Sequence, residues 1–197
     1  RIIVTRYEDR SVEVEDFGRG IPVDYNAKEQ RFNWELLFCE LYAGGKYNND
    51  ADESYEYSLG LNGLGLCSTQ YASEYMDVDI RRDGVQYRLH FENGENVGGL
   101  TKQDYPKKDT GTRIRWKPDL QVFTDIDVPV EYFIDMIKRQ AIVNDGVTFL
   151  FRNQVGENFE TAEFCYKNGI EDHVREIAGE DALTTVQFWR TERKVRD

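Results

Sequence analysis

Four short segments of this chain carry residue types that could do chemistry together. The first is Val14-Glu15-Asp16-Phe17-Gly18-Arg19-Gly20-Ile21-Pro22. An alternating run ends in an acid, and two glycines flank one residue just beyond it. A carboxylate at a strand end can accept a hydrogen bond from an exocyclic amine such as N6 of adenine. Glycine lets a backbone turn sharply and approach a flat ring closely, and Ile21 and Pro22 offer that ring apolar surface. The same pattern also describes a polar turn after an edge strand, and the segment alone does not decide between the two.

The second segment, Leu41-Tyr42-Ala43-Gly44-Gly45-Lys46, sets two glycines before a lysine. It reads either as a loop that brings a cation to phosphate or as a helix C-cap followed by a solvated lysine. It is not a Walker A loop, which needs GxxxxGK[ST]. The third, Gly60-Leu61-Asn62-Gly63-Leu64-Gly65-Leu66, leads into an apolar helical stretch. Backbone N–H groups at a helix start can hold an anion, although a ligand-free loop before a helix fits as well. A dinucleotide reading fails, because the glycines run GxxGxG and no βαβ setting surrounds them. The fourth, Asp109-Thr110-Gly111-Thr112-Arg113-Ile114, is a turn opening a strand, and Thr112 could donate or accept beside the acid that reads the amine. Taken singly each segment is ordinary, but their order and spacing together are far less so.

The elements that must position these segments follow from periodicity. Residues 1–7 and 11–16 read as a hairpin around Glu8-Asp9-Arg10. Residues 33–42 read as a helix with Leu36, Leu37, Phe38 and Leu41 on its apolar side and Asn33 as N-cap. Residues 44–58 are loop by composition, and 63–73 are helical after the glycines. Residues 75–82 and 85–92 alternate around Asp83-Gly84, a strong hairpin signal. A strand is expected at 111–117, an amphipathic helix at 130–142, strands at 146–152 and 160–166, and a helix at 169–178. Residues 184–195 alternate again and are expected to begin a further sheet. No internal repeat is present. The order predicts an α+β fold, a two-layer sandwich with helices on one face of a mostly antiparallel sheet.

Composition narrows the function. The chain has 197 residues and a formal net charge of -12, with a mean hydropathy of -0.68. That length suffices for a core without staples. So acidic a domain is a poor binder of duplex DNA, whose non-specific affinity comes mainly from Lys and Arg neutralising phosphates. No apolar run reaches the ~20 residues of a membrane span, and the first residues lack a signal-peptide shape. The opening Arg1 in place of Met is read as a piece of a longer protein. Cys39, Cys67 and Cys165 are scattered and odd in number, so neither a disulfide framework nor a zinc site is expected. All three are expected to be buried, reduced thiols of a cytoplasmic protein.

Those four segments, in that order, resemble the GHKL ATPase superfamily, and within it the B subunits of bacterial type II DNA topoisomerases, gyrase and topoisomerase IV. The family pattern reads DxGRGIP, LHAGGKF, a Ser/Tyr-rich lid ending in GLHGVG, and TGT. Its counterparts here are Asp16 to Pro22, Leu41 to Tyr47, Gly60 to Gly65 and Thr110 to Thr112. The likeness runs from residue 2 to about residue 152. The chaperone and mismatch-repair branches lack the Ala-Gly-Gly-Lys segment, and histidine kinases lack both it and the GRGIP turn. A histidine kinase or chaperone-like protein is the alternative reading.

The resemblance implies an ATP site. Asp16 would take the adenine amine, with Thr112 assisting through a water. Val14, Gly20, Ile21, Pro22, Leu37 and Ile114 would line the adenine slot, and Gly18 would shape the turn. Lys46 and the amides of Gly60, Leu61, Asn62, Gly63, Leu64 and Gly65 would meet the phosphates, and Tyr55 would contact the nucleotide from the lid. Arg19 and Arg82 match two arginines at the pocket mouth, where inhibitors of the family bind; both also fit ordinary surface ion pairs. Asn62 departs from the family's histidine, Leu59 from a glycine, and the lid is a few residues longer. The family's water-activating glutamate and Mg²⁺-binding asparagine match no residue here and would lie upstream of Arg1. The resemblance therefore implies a piece that binds nucleotide and hydrolyses it poorly. It makes 1–180 the nucleotide-binding domain without its N-terminal helix, and 181–197 the start of a transducer domain. The implied partners are the topoisomerase A subunit and DNA, through other domains, and a second copy on ATP binding.

Overall fold

A computed structural model describes residues 1–42, 64–180, 182–187, 189 and 191. Fifteen elements follow in chain order: β1 (Ile2–Arg6), β2 (Val12–Asp16), β3 (Tyr25–Asn26), β4 (Arg31–Phe32), α1 (Asn33–Cys39), α2 (Gly65–Tyr71), β5 (Ser73–Arg82), β6 (Val85–Glu92), β7 (Glu95–Asn96), β8 (Thr101–Asp104), β9 (Gly111–Pro118), α3 (Val130–Val143), β10 (Phe149–Val155), β11 (Asn158–Phe164) and α4 (Ile170–Ala178). Nine strands form one sheet in the order β11-β10-β1-β2-β9-β5-β6-β7, with β8 also paired to β6; β3 and β4 make a separate hairpin. All pairings in the large sheet are antiparallel except β1 with β10.

Strand alternation sorts the sheet into two unlike faces. In register across it, Val4, Val14, Ile114, Val78 and Leu89 share one face, and Phe151 joins them through the parallel pair. Over β5, β6 and β9 this face builds a core of Val23, Phe38, Met76, Val78, Ile80, Leu89 and Phe91, onto which α1 packs through Trp34, Leu37 and Phe38. Phe38 is wholly buried and stacks on Phe91 at 5.5 Å between centroids; burying such a side chain contributes roughly 1.5–3 kcal/mol. Over β1 and β10, α3 lays Val130, Phe133, Ile134, Ile137 and Ala141 onto Phe149 and Phe151, the spacing of an amphipathic helix. The expected two-layer arrangement is thus the one observed.

The opposite face is a lattice of charges. Asp79 takes Gln86 at 2.6 Å and Arg88 at 3.2 Å, Arg115 reaches Ser11 at 3.0 Å and Asp9 at 3.3 Å, and Arg81 reaches Glu15 at 2.7 Å. A net charge of -12 is tolerated partly because these acids stand next to arginines.

Several local expectations are corrected. Asn33 is the first residue of α1 and not its N-cap. Phe32 holds that place, and the Glu35 carboxylate accepts its backbone N–H at 2.8 Å. The helix stops at Cys39 and not at residue 42, because Glu40 is already extended. The C-terminal strands lie at 149–155 and 158–164, two to three residues off, because the turn is made at Gly156 (φ 60°). The short strands β3, β4, β7 and β8 were not expected, being too brief to show alternation. No described residue among 182–187, 189 and 191 is in a strand, so the further sheet expected at 184–195 is not seen there. Cys67 is buried and Cys39 half-buried, but Cys165 is exposed; all three are free. Burial pushes the Cys39 thiol up to about 11. Among the described residues no helix is long and apolar enough to cross a membrane.

On the charged face His90 lies between Glu92 (3.0 Å) and Asp77 (2.7 Å). Those two hydrogen bonds, Glu92 first, raise its pKa above the ordinary 6.5. A raised folded-state pKa gives stability that is fully present below about pH 6.5 and lost as pH rises through the folded value. His90→Gln is therefore expected to lower the melting temperature at pH 5.5–6 and to have little effect at pH 9. An equal loss at both pH values would show that the charge of the ring is not involved.

Candidate functional site

The pairing of β2 with β9 assembles the site. Glu15 is opposite Arg113 and Val14 opposite Ile114. The next residues along, Asp16 and Thr112, are therefore neighbours, and alternation turns both to the helix-covered face. Thr112 is 3% exposed, and its Oγ1 accepts the Ile21 backbone N–H at 3.1 Å. Asp16 uses Oδ1 to accept the Gly18 N–H at 2.8 Å, which folds the Gly18–Gly20 turn back on the strand end. The Thr110 hydroxyl donates to the Gly18 carbonyl at 2.6 Å. Two hydrogen bonds thus hold segments about ninety residues apart in one corner, and the third shapes the turn within it.

Two glycines are required by that corner. Gly111 has φ 149°, and a Cβ there would be driven into the Asp16 carbonyl oxygen. Gly20 has φ 81°, and its Cβ would lie 2.8 Å from the Arg81 carbonyl oxygen. The backbones approach too closely for any side chain.

Around the corner stand partly buried apolar groups. Ile21, Leu37, Ile114 and Leu66 all flank the first core without being fully buried in it. Leu37 comes from α1, and Leu66 follows Gly65 at the start of α2. Leu64 and Gly65 directly precede Leu66, and Gly65 is exposed. Val14 and Pro22 are likewise half-buried. Arg82 donates from Nη1 to the Gly20 carbonyl at 3.1 Å and from Nε to Asp83 at 2.9 Å. Arg19 is exposed on the turn itself. Lys46, Tyr55, Gly60, Leu61, Asn62 and Gly63 lie outside the described residues. A hollow of about 540 Å³ lined by Arg175, Ala178, Gly179 and residues 182–186 shares no residue with this corner.

Sequence reasoning did not find the supports: Glu35 at the start of α1, or Arg81 with its partners Glu15, Asp109 and Tyr105. The alternation of β2 and β5 could have placed Glu15 and Arg81 on one face, but only the strand order brings them within reach.

No family model matches the chain. Comparison with known proteins is nevertheless decisive. The chain is 36% identical over 177 residues to the B subunit of DNA topoisomerase 4 from Salmonella typhimurium, covering 89% of this chain and 27% of the relative. It is 35% identical over 196 residues to the B subunit of DNA gyrase from Thermotoga maritima, covering 99% of this chain and 30% of that one. Both relatives are B subunits of bacterial type II topoisomerases, and the chain is homologous to them over most of its own length. Its fold matches the topoisomerase IV ATP-binding domain of Francisella tularensis, solved with a small-molecule inhibitor, with a TM-score of 0.72 and 29% identity over 89% of this chain and 46% of that one. It also matches the 43K ATPase domain of Thermus thermophilus gyrase B, solved with an aminocoumarin, with a TM-score of 0.72 and 25% identity over 91% of this chain and 43% of that one. As a topoisomerase B-subunit homologue the chain has the GHKL fold, and the kinase or chaperone alternative is not favoured. It spans less than a third of the length of those two curated relatives.

Gly111→Ala is expected to cost more than strain alone, because the new methyl must displace the Asp16 carbonyl. Gly98 has φ 85° with nothing among the described residues within 4 Å of an added Cβ, so Gly98→Ala should cost only about 1–2 kcal/mol of backbone strain. Urea unfolding of both variants checks the difference; equal losses would show that the close approach at residue 111 is not needed.

Proposed function

We propose that this chain binds ATP and serves as the ATP-binding domain of a type II DNA topoisomerase, coupling nucleotide binding and hydrolysis in the whole enzyme to DNA strand passage. The observation that carries the reading is the corner itself. The Asp16 carboxylate has Oδ1 held by a backbone N–H and Oδ2 without a partner among the described residues, while the Thr112 hydroxyl keeps its own proton to donate. Such a pair can accept from the adenine 6-amino group and donate, directly or through a water, to a ring nitrogen. Val14, Gly20, Ile21, Pro22, Leu37 and Ile114 form the half-buried wall a flat base needs.

Phosphates would lie toward α2. Among the described residues an added Cβ at Gly65 meets nothing within 4 Å, which leaves room there for a ligand oxygen. The amides of residues 60–65 and the Lys46 ammonium complete that half, with Tyr55 contacting the nucleotide and Arg19 and Arg82 at the mouth. The Mg²⁺ implied by the family would be held there by an asparagine and the substrate phosphates, and no residue of the chain matches that asparagine. No residue of the chain matches the family's water-activating glutamate either. Residues 1–180 form the nucleotide-binding unit, and 181–197 begin a transducer. The A subunit and DNA are engaged through other parts of the whole, cytoplasmic enzyme, and two B subunits join when nucleotide closes the lid.

Asp16→Asn replaces an acceptor oxygen by a donor that opposes the amine. Calorimetric titration should show ATP affinity reduced at least tenfold, the loss of a charged hydrogen bond; unchanged affinity removes the adenine assignment. The same chain should turn ATP over ~10²–10⁴-fold more slowly than the full-length homologue, the usual cost of lacking a general base. Equal rates in a phosphate-release assay would place the base within these residues.

A further inference from the structure

The face of the sheet away from the site carries a cross-brace. Arg81 on β5 is paired with Gly111 of β9, and its side chain is only 15% exposed. Gly111 contributes no side chain to that row, so the way across β9 is open. The Arg81 guanidinium reaches over it to β2, where Nη2 donates to Glu15 Oε1 at 2.7 Å. Nη1 donates to Asp109 Oδ2 at 3.1 Å, and the Tyr105 hydroxyl donates to the same oxygen at 2.9 Å. The guanidinium carbon stands 6.0 Å from the centroid of the Phe17 ring.

These partners are the neighbours of the site residues. Glu15 and Phe17 bracket Asp16, and Asp109 precedes Thr110-Gly111-Thr112. Alternation turns 15 and 17 away from the site and 16 into it, so holding the outer two sets the direction of the middle one. The planar guanidinium fork fixes angle as well as distance, and a largely buried pair is screened far less than an exposed one. The Arg81 backbone closes a third side, since its carbonyl oxygen presses on Gly20.

We propose that Arg81, although no part of the pocket wall, is a positioning residue that sets the spacing and direction of the Asp16 carboxylate and Thr112 hydroxyl, and with them the preference for an aminopurine. The proposal rests on the nucleotide reading above. What Arg81 governs is discrimination between bases, and not the general affinity for a triphosphate.

The test is a titration of the 197-residue chain with ATP and with purine riboside triphosphate, which lacks the 6-amino group. The native chain should prefer ATP. Arg81→Ala should reduce that preference roughly tenfold with the analogue's affinity held within about twofold, and Arg81→Lys should restore part of it. Arg88→Ala, which breaks a different ion pair on the same face (3.2 Å to Asp79), should keep the native ratio. An Arg81→Ala variant with the native ratio, whatever its melting temperature, overturns the proposal. Should that variant not fold, Glu15→Gln and Arg81→Lys report the same ratio, and native values in both overturn it equally. A native chain that binds neither triphosphate removes the nucleotide reading itself, and one that binds both alike removes the reading of the 6-amino group by Asp16; each outcome is distinct from a preference that survives the loss of Arg81.

Discussion

Everything at the site depends on the register between β2 and β9. One pairing, Val14 against Ile114, puts Asp16 beside Thr112 and turns both toward the helices. A slip of one residue would send every side chain of one strand to the other face, pointing the carboxylate at the charged lattice and Glu15 into the core. The register is held from both sides. Apolar residues on the inner face cannot be exposed without losing the core, and the arginine–carboxylate pairs on the outer face have partners only in this alignment. The close contact of Gly111 with the Asp16 carbonyl adds a steric stop.

The two halves of the layer are unequal in what they do. α3 packs on β1 and β10 with buried Ile137 and Ala141 and has the properties of a scaffold. α1 and α2 cover β5, β6 and β9 less completely, leaving Ile21, Leu37, Ile114 and Leu66 half-buried at one end. An apolar wall that the described residues do not close, next to a carboxylate and a hydroxyl, is suited to a flat ring. In the proposed nucleotide reading, the helix layer that builds the core also leaves the slot, and the charged face behind it holds the polar residues in aim.

Much of this was legible in the chain. Alternation and the Asp83-Gly84 turn placed β5 and β6 within two residues, and the 3.6-residue spacing from Val130 to Ala141 placed α3. The chemistry-bearing residues could be named before any coordinates, because carboxylate, glycine and threonine at those spacings have few other uses in combination. Three kinds of feature were not legible. Strands of two residues show no period. The parallel pairing of β1 with β10 joins segments about 147 positions apart, beyond any local signal. The Gly156 turn was missed because Asn144-Asp145-Gly146 offered a stronger-looking turn nearby.

By itself the sequence determined the α+β class and the acidic composition, and it supplied the residues proposed to read an aminopurine, since these follow from residue type and short-range period. Only the tertiary structure decided that Asp16 and Thr112 share a corner, that Gly111 is needed for its emptiness, and that Arg81 braces the corner from behind. Those are consequences of strand order, and strand order comes from which faces can be buried together, a property of the whole chain and of no segment within it.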